Sequence, residues 1–196
     1  MTFAHSTGYT NPQGYSYWPA PAKLNLELRI LGRRDDGYHD LQTLFQLLDC
    51  GDDIWIKPND SGQVTLQSEY DEVPSDDNLI IKAARALEPF KGKHQGADIR
   101  LNKKLPSGAG LGGGSSDAAT TLVALNQLWD IKLPNEKLCE LGKSLGADVP
   151  VFVKGKTAWA EGIGEILTET EVPEKWYLIV YPDVKINTSK IFSHPA

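Results

Sequence analysis

The stretch LPSGAGLGGGSSDAATTL, residues 105–122, decides how the rest of the chain is read. Five glycines, Gly108, Gly110, Gly112, Gly113 and Gly114, run into Ser115 and Ser116 and then into a helical segment carrying Ala118, Ala119, Leu122 and Val123. Glycine lets the backbone take positive φ and brings its own N–H groups to a ligand with no Cβ in the way. The first N–H groups of the helix behind it lack intrahelical partners, and the macrodipole adds about half a positive charge there. Loop and helix start together form an anion cradle, for which phosphate is the natural guest.

Spacing separates the known phosphate loops. A Walker A loop needs G-x-x-x-x-G-K-[ST], and the first glycine of a pattern ending in Gly142, Lys143 and Ser144 would fall on Lys137, inside a helical run. A Rossmann fingerprint finds its letters in Gly108, Gly110, Gly113 and Asp130, but Lys103, Lys104 and Pro106 stand where the apolar strand should lead into the first glycine. A flexible linker would not carry a proline start, a central leucine and an immediate helix. What remains is the run P-x-x-x-G-L-G-x-G-S-S: Pro106, Ser107, Gly108, Ala109, Gly110, Leu111, Gly112, Gly113, Gly114, Ser115 and Ser116. It resembles the phosphate-binding motif of the GHMP kinases, the superfamily of galactokinase, homoserine kinase and mevalonate kinase.

Composition sets the frame. The 196 residues can bury a sizeable core, and 26 acids against 20 bases leave a net charge of -6, which argues against a general binder of nucleic acid or anionic membrane. An anionic substrate must therefore be met by local cations. Cys50 and Cys139 are too few for a disulfide scaffold and lie in no metal spacing, which points to the reducing cytoplasm. The apolar run 176–181 is far too short to span a bilayer.

Residues 1–17 are polar, with no basic start and no apolar stretch of signal-peptide length, and read as a disordered tail. From 22 to 30 alternation is strict: Ala22, Leu24, Leu26, Leu28 and Ile30 form the expected core face, and Lys23, Asn25, Glu27 and Arg29 point away from it. Residues 32–38 form a charged turn, and strands are expected at 53–57 and 63–69. Asn78 stands in the first turn of a helix whose Leu79, Ile80, Ala83, Ala84 and Leu87 recur at helical spacing before Pro89. A strand at 97–101 precedes the glycine run, whose helix reaches about Trp129. Another helix opens at Pro134 and Asn135 and closes on Gly146 as its C′ residue. On pattern alone Asp148 is a turn residue before a proline-containing strand; strands follow at 157–160 and 176–181 around a turn at 161–165.

More of the chain resembles one branch of the GHMP kinases, the branch that phosphorylates a CDP-linked methylerythritol in the non-mevalonate route to isoprenoids. The matching motifs are P-A-K-L-N-L at 21–26, G-R-R-x-D-G-Y-H at 32–39, L-Q-T-L-F-Q at 41–46, L-G-A-D-V-P-V-F at 145–152 and A-E-G-x-G-E at 160–165. The resemblance implies an α+β fold, the GHMP-kinase N-terminal domain (ribosomal protein S5 domain 2-like), a mixed sheet packed against helices. It implies a domain at 18–165, with 166–196 completing it and leading to a C-terminal domain that has no counterpart here, so that the chain is expected to be a truncation. It also implies roles: Lys23 and Asp148 catalytic; the run from Pro106 to Ser116 around the ATP phosphates, with Lys103 and Asn78 as further nucleotide contacts; Asn25, Tyr38, His39 and Phe192 on the substrate, the last three at its cytidine end.

The activity implied is transfer of the ATP γ-phosphoryl group to an alcohol, with Mg²⁺ arriving on the phosphates, a Ser115 or Ser116 hydroxyl contacting a phosphate or that Mg²⁺, and no dedicated metal site. Asp148 would take the hydroxyl proton. An aspartate is a weak base toward an alcohol, so proton transfer must accompany attack on phosphorus, with Lys23 offsetting charge on the attacking oxygen. The implied partners are ATP and the small-molecule substrate, with no nucleic acid and no membrane, in a monomer or weak homodimer. Two alternatives stay open: a homoserine- or mevalonate-type kinase, and a nucleotide-binding module without chemistry.

Overall fold

Two long strands, β1 (Ser16–Arg33) and β2 (His39–Asn59), pair antiparallel from end to end and carry the rest of the fold. The computed structural model describes residues 10–11, 13–35, 37, 39–68 and 77–182. Along β2 the buried positions are Thr43, Phe45 and Leu47, then Leu48 at the irregularity, then Asp52, Ile54 and Ile56, so the parity of the inward face changes across it. A strand alternates with period two, and an irregularity between the two sets is what flips the face. That irregularity lies opposite Ala22: the register runs from Pro21↔Gly51 to Lys23↔Leu47. Gly51 is needed there because Ala20 backbone atoms fill the space a Cβ would take. A second register shift falls between Asn25 and Glu27, so the two breaks flank Lys23 and Asn25.

The other edge of β2 is shared. Its first part pairs with β5 (Ala158–Glu161) and its last part with β4 (Gly96–Asn102), both antiparallel, while β3 (Val64–Ser68) runs parallel to β4 and β6 (Ile166–Glu169) closes a hairpin with β5. The sheet is therefore mixed, as expected. Helix α2 (Gly113–Leu128) packs on β1 and β2 and against α1 (Leu79–Ala86), α3 (Asn135–Leu145) and α4 (Val149–Lys154). It is buried without interruption from Ser116 to Leu122 and again at Ala124 and Leu125, so it serves as the central rod of the core rather than as an amphipathic surface helix.

Four expectations are corrected. Order begins inside the segment read as a tail: Tyr15 is buried, with the Arg100 guanidinium 4.2 Å from its ring centroid, and β1 starts at Ser16. The core face read into β1 fails beyond Leu24. Leu26, Leu28 and Ile30 are exposed and Lys23 is buried, because helices cover β1 around Lys23 while the outer half of the ribbon has no layer on it among the described residues. Residues 149–154 form helix α4 and not a strand. Pro150 lacks a ladder donor but suits a first helical turn, and Gly155 at φ +65° ends the helix. Residues 176–181 pair with no described strand, and Trp176 is 99% exposed; apolar composition alone does not make a strand without a neighbour to accept its hydrogen bonds. Gly146 does cap α3, but with φ 173°, extended backbone that needs no glycine.

Candidate active site

The glycine run is held at its ends and open in its middle. Leu105 and Leu111 are buried with Ala22 and Leu48 in a small apolar cluster, and the Lys23 N–H, at the first break in the β1–β2 register, donates to the Leu111 carbonyl at 2.9 Å. Gly108, Gly110 and Gly112 take φ of +72°, +75° and +73°. Gly112 is the N-cap of α2, and no side chain caps that helix, so its first amides have no side-chain acceptor. A Cβ on Gly112 would stand 2.8 Å from Phe152 Cζ and 3.0 Å from Lys23 Cγ, whereas at Gly108 or Gly110 it would meet nothing within 4 Å.

Lys23 lies beside this helix start. Its Nζ is 3.2 Å from Asp148 Oδ2 and donates to Asn25 Oδ1 at 2.6 Å, with the Phe45 ring centroid 5.2 Å away. Asp148 sits at the N-cap position of α4, where an aspartate usually caps its own helix, yet it makes no such bond and its carboxylate turns to the lysine. The lysine is 5% exposed, and the Asp148 side chain 32%, so the pair opens to solvent on the carboxylate side. The ammonium is thus desolvated, compensated and fixed, which makes it a strong local field for an oxygen anion brought to that mouth.

Lys103 goes elsewhere. Its Nζ bridges Asp52 Oδ2 at 2.6 Å and Asp117 Oδ2 at 2.8 Å, in a cluster where both carboxylates are buried and the lysine side chain nearly so. Asp52 Oδ1 also accepts the N–H groups of Lys104 and Leu105, at 2.6 and 2.8 Å, which ties the start of the glycine run to β2. Burial pushes the Asp117 carboxyl up to about 7 against the pull of Lys103, and the Asp52 charge adds to the rise. For Lys103 burial pulls downward, and the two carboxylates, Asp117 foremost, outweigh it and leave the ammonium's pKa raised. Two carboxylates sharing one cation hold a proton more readily than either would alone.

The remaining residues fall into place around these groups. Asn78 caps α1, its Oδ1 accepting from the Ile80 N–H at 2.9 Å, and Leu79 Cδ1 lies 3.4 Å from where a Gly114 Cβ would be, so the two helix starts are neighbours. Gly113 lies over the Lys103 ammonium, and the Ser107 carbonyl accepts from the Tyr181 hydroxyl at 3.4 Å. Ser115 is half-buried, while Ser116 is fully buried with its hydroxyl unpartnered. Pro106 and Gly114 are exposed, and Ala109 packs against the cluster of Leu105 and Leu111. His39 opens β2 opposite Arg33, at the turn end of the ribbon and away from Lys23 in the register. Tyr38 and Phe192 lie outside the described residues.

Sequence reasoning missed Asp52, Asp117, Thr43 and Phe152. Asp117 left a signal: a carboxylate among Ser116, Ala118 and Ala119 on a helix otherwise suited to burial demands a cation, and Lys103 was at hand. Phe152 and Thr43 left none. Among the described residues no three His, Cys, Asp or Glu side chains gather as a metal site. The uncapped start of α2, with the open arc of Gly108 and Gly110 before it, fits a chain of phosphates. A magnesium ion brought in on such phosphates would take most of its oxygens from them and from water, and the half-buried Ser115 hydroxyl at the helix start would be the side-chain oxygen at hand.

A mixed sheet, a central helix begun by an uncapped glycine run, and a lysine and aspartate meeting beside it define a class. The chain matches the GHMP kinases N terminal domain over residues 78–156. It is 59% identical over 179 residues to the 4-diphosphocytidyl-2-C-methyl-D-erythritol kinase of Shewanella loihica, covering 91% of this chain and 63% of that protein. With the same-named kinase of Pseudomonas aeruginosa identity is 58%, over 90% of this chain and 63% of that one. A crystal structure of 4-(cytidine 5'-diphospho)-2C-methyl-D-erythritol kinase superposes with a TM-score of 0.70 at 42% identity, covering 80% of this chain and 56% of the other. The chain thus spans about 63% of the length of these curated relatives.

Proposed function

We propose that the chain carries the phosphoryl-transfer site of an ATP-dependent kinase acting on a hydroxyl of 4-diphosphocytidyl-2-C-methyl-D-erythritol, the 2-hydroxyl by the family resemblance. The observation that carries this reading is the buried Lys23 meeting Asp148 at 3.2 Å beside the uncapped start of α2. The backbone N–H groups of Gly113, Gly114 and Ser115 receive phosphate oxygens, with Asn78 Nδ2 and the aliphatic stem of Lys103 toward the nucleoside. When bound, Mg²⁺ neutralises phosphate charge. The substrate hydroxyl enters at the exposed side of Asp148, which takes its proton as the oxygen attacks the γ-phosphorus and the bond from that phosphorus to the β–γ bridging oxygen breaks, releasing ADP. The Lys23 ammonium gives one N–H to Asn25 and is ion-paired with Asp148, and a remaining N–H supports the attacking oxygen. His39, Tyr38 and Phe192 are assigned to the cytidine end, and Asn25 to the substrate's polyol.

The names of the relatives support the substrate, and the free cysteines Cys50 and Cys139 support a cytoplasmic location. Among the described residues no helix is long and apolar enough to cross a membrane. We assign the working form as a monomer or weak homodimer. The test is ADP release, measured with the chain as it stands and with a version extended to its relatives' length by the C-terminal part of one of them. The extended version is expected to release ADP with the CDP-linked methylerythritol and not with homoserine or mevalonate. Turnover of either of those in preference would overturn the substrate, and ATP binding without ADP release in the extended version would overturn the chemistry.

A further inference from the structure

Thr43 is fully buried on β2, opposite Leu28 of β1 on one side and Ala160 of β5 on the other. Its hydroxyl nonetheless both donates and accepts. It donates to the Glu27 carbonyl at 2.6 Å and accepts from Asn25 Nδ2 at 2.8 Å. Both contacts belong to the second register shift of the β1–β2 ribbon, between Asn25 and Glu27. A hydroxyl has one proton. Since that proton goes to Glu27, Thr43 offers Asn25 only a lone pair, and the carboxamide must present nitrogen to Thr43 and therefore oxygen to the other side. On that side stands the Lys23 ammonium, which has donors only and bonds Asn25 Oδ1 at 2.6 Å. Lys23 in turn meets Asp148.

We propose that Thr43 is a positioning residue for the phosphoryl transfer: its hydroxyl anchors the Nδ2 end of the Asn25 carboxamide, fixing the Oδ1 that accepts from Lys23, and so holds the ammonium toward Asp148. This rests on the reaction assigned above. Without the hydroxyl the Nδ2 end of the Asn25 carboxamide loses its acceptor, the carboxamide is no longer held at both ends, and the Oδ1 that accepts from Lys23 shifts with it. Misplacement of a reacting group by an ångström is worth about 10²-fold in rate.

The test compares Thr43→Val, Thr43→Ser, Asn25→Ala and the double variant Asn25→Ala with Thr43→Val, in the extended chain for kinetics and in the 196-residue chain for NMR of the Asn25 side-chain amide. Thr43→Val is expected to lower kcat by about 10- to 100-fold with the KM for ATP unchanged, and Thr43→Ser to restore the rate. Thr43→Val added to Asn25→Ala is expected to lower kcat no further, since Thr43 acts through Asn25. The Asn25 amide proton signals should move in Thr43→Val and stay in Thr43→Ser. Should Thr43→Val fail to fold, Thr43→Cys, with its weak acceptor, takes its place. Wild-type kcat in the valine or cysteine variant, a full additive loss in the double variant, or unmoved amide signals would each overturn the proposal. If the parent releases no ADP with the CDP-linked substrate, that strikes the assigned reaction, and the amide signals still decide whether Thr43 orients Asn25.

Discussion

Gly112→Ala separates two costs at one atom. Gly112 holds φ +73°, and the added methyl would lie 2.8 Å from Phe152 Cζ, 2.9 Å from Phe152 Cε2 and 3.0 Å from Lys23 Cγ. A left-handed backbone costs a residue with a Cβ about 1–2 kcal/mol. Carbon atoms settle at about 3.5–4.0 Å, so the phenylalanine ring or the lysine stem must retreat by roughly an ångström. Phe152 is buried in the main core and has no room to give, and overpacking of that kind costs about 1–3 kcal/mol more. The total is about 2–5 kcal/mol, and Lys23 is pushed off Asp148 as well. Gly110→Ala is the control, since Gly110 holds φ +75° but a Cβ there meets nothing within 4 Å, so only the backbone term of about 1–2 kcal/mol applies. Urea unfolding of parent and both variants measures the difference. Gly112→Ala no more destabilised than Gly110→Ala would refute the claim that the helix start is packed against Phe152 and Lys23.

Three further outcomes follow from the charged groups. Asp148→Asn should lower kcat in the extended chain by about 10²–10⁴-fold while ATP binding by calorimetry is unchanged; near-parental turnover removes Asp148 from the chemistry. Lys103→Met strands Asp52 and Asp117 without their cation, and thermal and urea unfolding should show a loss of about 3–5 kcal/mol, since both carboxylates stay buried. Because the Asp117 carboxyl is raised in the fold to about 7, its contribution to stability is fully present below about pH 4 and is lost as pH rises through 7, by at most about 4 kcal/mol. Asp117→Asn should therefore gain on the parent in urea midpoints between pH 5 and pH 8, and a constant difference across that range would count against the buried cluster.

What the sequence made legible is what depends on neighbours along the chain. The glycine run, the helical spacing of Leu138, Leu141 and Leu145, and the helix carrying Leu79 to Leu87 are local, and the structure has them where the spacing predicts, although Asn78, expected in the first turn, is that helix's N-cap. The assignment of β1's faces failed for a physical reason. Alternation says which side chains share a face, and only the tertiary fold says which face is covered. Leu26, Leu28 and Ile30 share a face that is exposed, while Lys23 is buried under helices that begin far along the chain, at Gly113 and Val149. The valine-rich α4 was misread because β-branched composition argues for a strand, whereas Pro150 and the packing of Val149, Val151 and Phe152 in the core settle it as a helix. The deepest omission is the pair of register shifts around Lys23 and Asn25. The first shift leaves its mark in Gly51 and in the change of parity from Phe45 and Leu47 to Ile54 and Ile56, whereas the second changes which residue faces which without any apolar signal. Yet the first shift accompanies the Lys23 N–H turning to Leu111, and the second accompanies the Thr43 hydroxyl bonding the Glu27 carbonyl and Asn25. A regular ladder through residues 21–27 would have spent those groups on strand pairing. The interruptions are therefore what allow one lysine on a strand to be joined to the glycine run by its backbone and to Asn25 and Asp148 by its side chain.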